Sequence, residues 1–166
     1  MTEKTVLKED LIRDIVEVAS DVLSTMASYE VKAKGFEQSN GSPECLDVTA
    51  CMDITGILGF SGGRKGSVLI TFTEVIALKI VGGMLGVTLS KIDAEVRDGV
   101  AEIVNMIAGG AKKILQRKGV FFDLSIPNTI IGQNHQITAP ASAVRTRIDF
   151  ESSAGDFFME VYLKED

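Results

Sequence analysis

With 166 residues, the chain has the length of one common-sized domain and can bury about 70% of its unfolded surface. A hydrophobic fraction of 45% against a charged fraction of 24% excludes disorder, and no run approaches the roughly 18 uncharged apolar residues of a membrane span. The net charge of −6 and pI near 4.9 argue against nucleic acid as the main partner.

The first residues, MTEKTVLKEDL, mix charges from Glu3 onward and lack the apolar core of a secretory signal. Residues 8–28 place Leu11, Ile15, Val18, Val22 and Met26 on one stripe, with Ile12 and Leu23 beside it, and this predicts an amphipathic helix. Residues 31–38 are a weak strand candidate. Residues 39–43, Ser-Asn-Gly-Ser-Pro, carry turn chemistry. Strict alternation of Leu46, Val48, Ala50, Met52 and Ile54 with Asp47, Thr49, Asp53 and Thr55 predicts a half-buried strand running to about Phe60. Cys45 and Cys51 are too few for a disulfide framework and too far apart along a strand to bridge. They read as reduced thiols of a cytoplasmic protein.

The glycine-rich stretch 61–66 invites comparison with a phosphate cradle. That motif needs Gly-Lys followed by Ser or Thr at the head of a helix; here Lys65 precedes Gly66 and a strand, 67–72, follows. A hairpin connection is expected instead. Thr73 can cap a helix over Glu74–Leu85, which Gly86 ends. Ser90, with Asp93 three residues on, resembles a capping box that opens a long helix over 93–118.

On that helix Val96, Val100, Ile103, Val104, Ile107, Ala111, Ile114 and Leu115 form one apolar stripe and hence a core face. The opposite face presents Asp98, Glu102, Asn105, Gly109 and Lys112 in a row. Side chains three residues apart sit about 5–6 Å from one another at Cβ, so Glu102 and Asn105 are neighbours. A glycine in an exposed helix interior costs roughly 1 kcal/mol against alanine, so Gly109 gives up stability beside a carboxylate and a carboxamide. Either something approaches this face, or it is a solvated surface with an accidental glycine.

Residues 120–125 and the apolar stretch from Pro127 to Ile131 follow, then a polar loop over 133–142. Val144, Thr146, Ile148 and Phe150 alternate with charged residues, and Phe157, Met159, Val161 and Leu163 alternate with Phe158, Glu160, Tyr162 and Lys164. The connector 152–156 contains Gly155, as a hairpin should. Each strand should keep one wet face. The pattern predicts a single α+β domain over 1–166: an antiparallel sheet of about six strands with long helices mainly on one side. Glu17 and Ser20 precede Glu102 and Asn105 by the same 85 residues, and Pro43 precedes Pro127 by 84, which suggests an internal duplication.

Few reactions suit an exposed carboxylate and carboxamide. With one histidine, His135, and no cysteine–histidine cluster, neither zinc nor a nucleophile–histidine pair is available. Glycoside hydrolysis would need a cleft with a second acid. An asparagine can hold a water by donating and accepting at once, and a glutamate can pair with a lysine. Such a surface makes sense where a macromolecular substrate brings its own metal and phosphoryl group, because positioning dominates that chemistry.

Asp98, Glu102 and Asn105, with Pro127 some twenty residues later, resemble the signature of the CheC/CheX/FliY phosphatases of bacterial chemotaxis. That signature is Asp or Ser, three residues, Glu, two residues, Asn, then a distant proline. The resemblance implies a pseudo-duplicated CheC/CheX-like fold and action on CheY, a response regulator whose aspartyl phosphate lies beside Mg²⁺ and a lysine. It implies that Asn105 orients the attacking water and Glu102 holds the regulator's lysine. Asp98, Gly109 and Lys112 would border the partner, Pro127 would act in positioning, and the Mg²⁺ would belong to CheY, with no cofactor of the chain's own. Ser20 stands where a second motif would need asparagine, so one working site is expected, as in the CheX branch, whose members dimerise by sheet edges. Two rivals remain: a module that docks a regulator or flagellar switch protein without hydrolysis, and a small-ligand sensor using a pocket between helix and sheet.

Overall fold

The computed structural model describes residues 3–40, 52–133, 135, 137 and 142–164. Along the chain run α1 (Glu3–Ala27), β1 (Val31–Asn40), β2 (Ile54–Gly62), β3 (Gly66–Phe72), α2 (Glu74–Leu85), α3 (Ala94–Arg117), β4 (Phe122–Leu124), β5 (Asn128–Ile131), β6 (Ala143–Ser152) and β7 (Phe157–Lys164). The seven strands form one antiparallel sheet in the order β1-β6-β7-β3-β2, with β4 and β5 sharing the outer edge of β2. The extra strand, against about six expected, arises because 120–131 pairs with β2 in two short pieces.

Alternate residues of each central strand, among them Ile54, Ile70, Phe72, Phe150 and Met159, meet Ile15 and Leu23 of α1, Ile80 of α2, and Ile103 and Ile107 of α3 in one core. All three helices therefore cover the same face. Stacked and tilted rings of Phe72, Phe150 and Phe157 fill the centre of that layer.

The opposite face is drier than alternation predicts. Phe158, Glu160 and Tyr162 of β7 are all buried, so this strand has no wet face. His135, beyond β5, lies against this face: its Nδ1 donates to the Gly132 carbonyl (2.8 Å) and Nε2 lies 2.6 Å from Thr55 Oγ1. Ile137 packs there with Leu69, Ala143 and Tyr162. The buried Glu160 is satisfied by the Arg145 guanidinium and by the Tyr162 hydroxyl, which donates at 2.8 Å. Burial, then the Glu160 carboxylate, pushes the Tyr162 phenol well above its usual range.

The strand order has a palindromic logic. Unit one (β1, β2, β3) and unit two (β4–β5, β6, β7) meet at β3 and β7, and each lends its first strand to the other's second: β1 to β6, β4–β5 to β2. Both lent strands carry one extra residue at the matching place. Lys34 is extra between the pairs Ala33–Phe150 and Gly35–Asp149; residues 125–127 oppose only Leu58 and Gly59 between Leu124–Phe60 and Asn128–Ile57. The topological counterpart of the Pro127 segment is thus the Lys34 bulge. Pro43, the proline suggested by the 84-residue offset, lies outside the described residues, as do Cys45 and Cys51.

Other expectations shift locally. Ser39 and Asn40 continue β1 rather than turn, because ladder pairing with Arg145 and Val144 overrides their turn preference. Of the strand expected from Leu46, residues 46–51 lie outside the described residues, and the described part is a regular strand from Ile54. Met26 is largely exposed, and Ala19 and Ala27 take the core side instead.

Candidate functional site

Helix α3 starts where Asp93, in extended conformation, turns its carboxylate onto the backbone N–H groups of Glu95 (3.0 Å) and Val96 (3.2 Å). The cap is Asp93 itself and not Ser90, which lies too far ahead to reach the first turn. At the other end Gly119 adopts a left-handed conformation and donates to Gln116, while Val120 N–H returns to Leu115. Val96, Val100, Ile103, Val104, Ile107, Ala111 and Leu115 are buried as expected; Ala108 joins them, and Ile114 is only half-buried.

Three glycines set how closely α3 is held. A Cβ on Gly56 of β2 would lie 3.0 Å from the Val100 carbonyl oxygen, so this strand touches the helix backbone. A Cβ on Gly110 would lie 2.5 Å from Val18 of α1, and one on Gly99 2.5 Å from Val81 of α2. The periodicity of α3 does not single out Gly99 and Gly110. Their position at the flank of the apolar stripe, where neighbouring helices must approach, is the signal that could have found them. Gly109 differs from both, since a Cβ there would meet nothing within 4 Å.

Asp98, Glu102 and Asn105 are exposed, and Gly109 and Lys112 are half-buried, on the face turned away from the sheet. Asp98 is engaged by its neighbour Arg97 (3.2 Å). Among the described residues, neither the Glu102 nor the Asn105 side chain has a hydrogen-bond or ion-pair partner. Both are held by the helix and presented to solvent.

Pro127 comes close to this row by register. Helix α3 runs along β2, with Gly56 beneath Val100 and Val104, and Phe60 sharing a small void with Ala108, Ala111 and Leu115. On the next strand, Thr129 pairs with Gly56 and donates to the Arg97 carbonyl (3.4 Å), whereas Leu124 pairs with Phe60 and lines the same void. Residues 125–127 therefore flank the helix between those levels, the stretch that carries Glu102 and Asn105. With 3.6 residues per turn, Gly99 and Gly110 share the flank occupied by α1 and α2, and Asn105 and Lys112 lean to the opposite flank, above the β4–β5 edge.

The bulge there is pinned. Ser125 N–H donates to the Gly59 carbonyl (2.8 Å), its Oγ accepts from Gly59 N–H (2.8 Å), and Asn128 Nδ2 donates to the Ile126 carbonyl (3.4 Å). The void between helices and sheet measures about 20 Å³, room for roughly one water. A void of that size among the described residues does not hold a small ligand. Among the described residues, no three His, Cys, Asp or Glu side chains cluster to hold a metal, and no helix is long and apolar enough to cross a membrane.

Comparison with known proteins places the chain in a family. The family model described as chemotaxis phosphatase CheX matches residues 54–151, which include all of α3 and Pro127. A CheC-like superfamily protein from a Shewanella species is 34% identical, with 94% of this chain and 98% of that one covered and a TM-score of 0.83. The CheY-P phosphatase CheX of Thermotoga maritima is 26% identical over 129 residues, covering 76% of each chain. CheX of Borrelia burgdorferi, solved with CheY, BeF3 and Mg²⁺, shares the fold at 23% identity and a TM-score of 0.71, with 93% of this chain and 98% of that one covered. The matched span takes in the whole polar row of α3 and the edge strands beside it, and the chain belongs to the CheX family of chemotaxis phosphatases.

Proposed function

We propose that this chain hydrolyses the aspartyl phosphate of a CheY-type response regulator, with Asn105 and Glu102 as the working residues. The observation that carries the reading is the outward pair on α3: an unengaged carboxylate and carboxamide, adjacent on a rigid helix, above an edge that leaves them open. The Asn105 amide donates to and accepts from one water, aiming its oxygen at phosphorus opposite the aspartyl oxygen. Water adds, the P–O(acyl) bond breaks, and the products are inorganic phosphate and the regulator's free carboxylate. Glu102 pairs with the lysine beside the phosphorylated aspartate and so docks the helix.

Mg²⁺ belongs to the partner, a reading supported by the Borrelia burgdorferi relative, solved in a complex with CheY, BeF3 and Mg²⁺. Asp98, Gly109 and Lys112 border the docked regulator, and Pro127 fixes the edge beside Asn105. Residues 1–166 act as one CheX-like domain in the cytoplasm. A homodimer forms by edge pairing; β1, ten residues long, has no strand on its outer side among the described residues. The test is phosphate release from a phosphorylated CheY-type regulator with its Mg²⁺. Wild-type protein accelerates release, and a rate equal to the regulator's own autodephosphorylation would reject the reading.

A further inference from the structure

We infer that Ile126 is a docking residue for the regulator, an apolar anchor set beside the polar Glu102–Asn105 row; the inference rests on the function proposed above. Its side chain is 81% exposed, the highest value among the exposed large hydrophobics of the described residues. A single exposed aliphatic is ordinary on a protein surface. Two features set this one apart. The first is rigidity: Ser125 is bonded to Gly59 in both directions and the Ile126 carbonyl accepts from Asn128, so the side chain is displayed from a fixed backbone and loses little freedom on contact. The second is place, since the bulge carrying Ile126 lies level with Glu102 and Asn105, on the flank toward which Asn105 leans.

A regulator lowered onto Asn105 with its phosphoryl group foremost covers Ile126 within the same contact. The occupant is therefore the regulator itself, through the part of its surface beside the phosphorylated aspartate. Polar groups orient such a contact, and an exposed aliphatic side chain that the partner covers supplies affinity through the apolar area removed from water. Phe121, also exposed on this edge, serves as the control: its carbonyl accepts from Gly63 N–H, level with the far end of α3 and away from Asn105.

The experiment is steady-state dephosphorylation of a phosphorylated CheY-type regulator by the full chain. Ile126→Ser should raise KM about tenfold, the scale for burying one branched aliphatic side chain, with kcat and the thermal midpoint unchanged. Ile126→Leu should return KM to near its original value, and Phe121→Ser should leave it alone. An unchanged KM in Ile126→Ser, alongside loss of turnover in Asn105→Ala, overturns the anchor and leaves the proposed function standing. A fall in kcat instead of a rise in KM, or an equal rise from Phe121→Ser, also overturns it. Full activity in Asn105→Ala removes the proposed site, and the anchor with it.

Discussion

Helices α1 and α3 lie against each other on one face of the sheet and occupy equivalent places in a duplicated frame, yet they present different chemistry. At the 85-residue offset, Glu17 matches Glu102, but Ser20 stands for Asn105 and Arg13 for Asp98. Ser20 is also half-buried where Asn105 is exposed. A hydroxyl is shorter than a carboxamide and has one donor in place of two, so it lacks the reach to hold a water in line. The edges differ as well. Beside α3 the bulge displays Ile126 and Pro127, whereas the matching bulge in β1 holds Lys34, whose ammonium is tied to Asp156 at 2.8 Å. Duplication preserved the frame, including the extra residue in each lent strand. In the proposed function it is the second unit, with Glu102 and Asn105, that carries the face for hydrolysis.

Substitutions at matched positions test that contrast, and the largest effect is expected at its centre. Asn105→Ala should slow regulator dephosphorylation by about a hundredfold or more, the scale seen when one orienting group is removed, with an unchanged thermal midpoint. A variant that keeps wild-type rates would end the distinction between the two helices. Glu102→Lys should weaken regulator binding by about tenfold by setting like charges together, and equal affinity in a titration would reject the lysine contact.

The adjacent glycines of α3 separate packing from docking. Gly110→Ala drives a methyl into Val18 and should cost about 1–3 kcal/mol in chemical denaturation. Gly109→Ala enters open space and should gain up to about 1 kcal/mol, whereas Gly109→Phe should impair dephosphorylation more than stability. Loss of stability alone in Gly109→Phe would reduce that glycine to packing. The smallest effect is a null: Ser20→Ala should change neither rate nor KM, and a measurable loss would return α1 to the list of sites.

Much of this was legible from one sequence because it depends on local period. The stripe of α3, its polar row and the strands β6 and β7 follow from spacings of 3.6 and 2, which hold whatever the rest of the chain does. The Asp93 cap was harder to read, since Ser90 and Asp93 both have capping side chains and only backbone conformation chooses between them. The weak strand at 31–38 hid the longest edge of the sheet, because β1 draws its order from pairing with β6 and not from its own composition. The dry second face of β7 was illegible for a similar reason: Phe158, Glu160 and Tyr162 look like a solvent face until Arg147 lies over the Phe158 ring, Arg145 meets Glu160, and Ile137 from beyond β5 packs with Tyr162.

By itself the sequence determined the class of fold, the helix that bears the polar row, and the residue types that can hold a water and a lysine. Those properties are written in side-chain order along a single element. Tertiary structure alone decided that 125–127 lies level with Glu102 and Asn105, that Gly110 admits α1 while Gly109 stays open, and that the counterpart of the Pro127 segment is Lys34. Each of these depends on strand register and on close approach between elements distant in sequence, which no local pattern encodes.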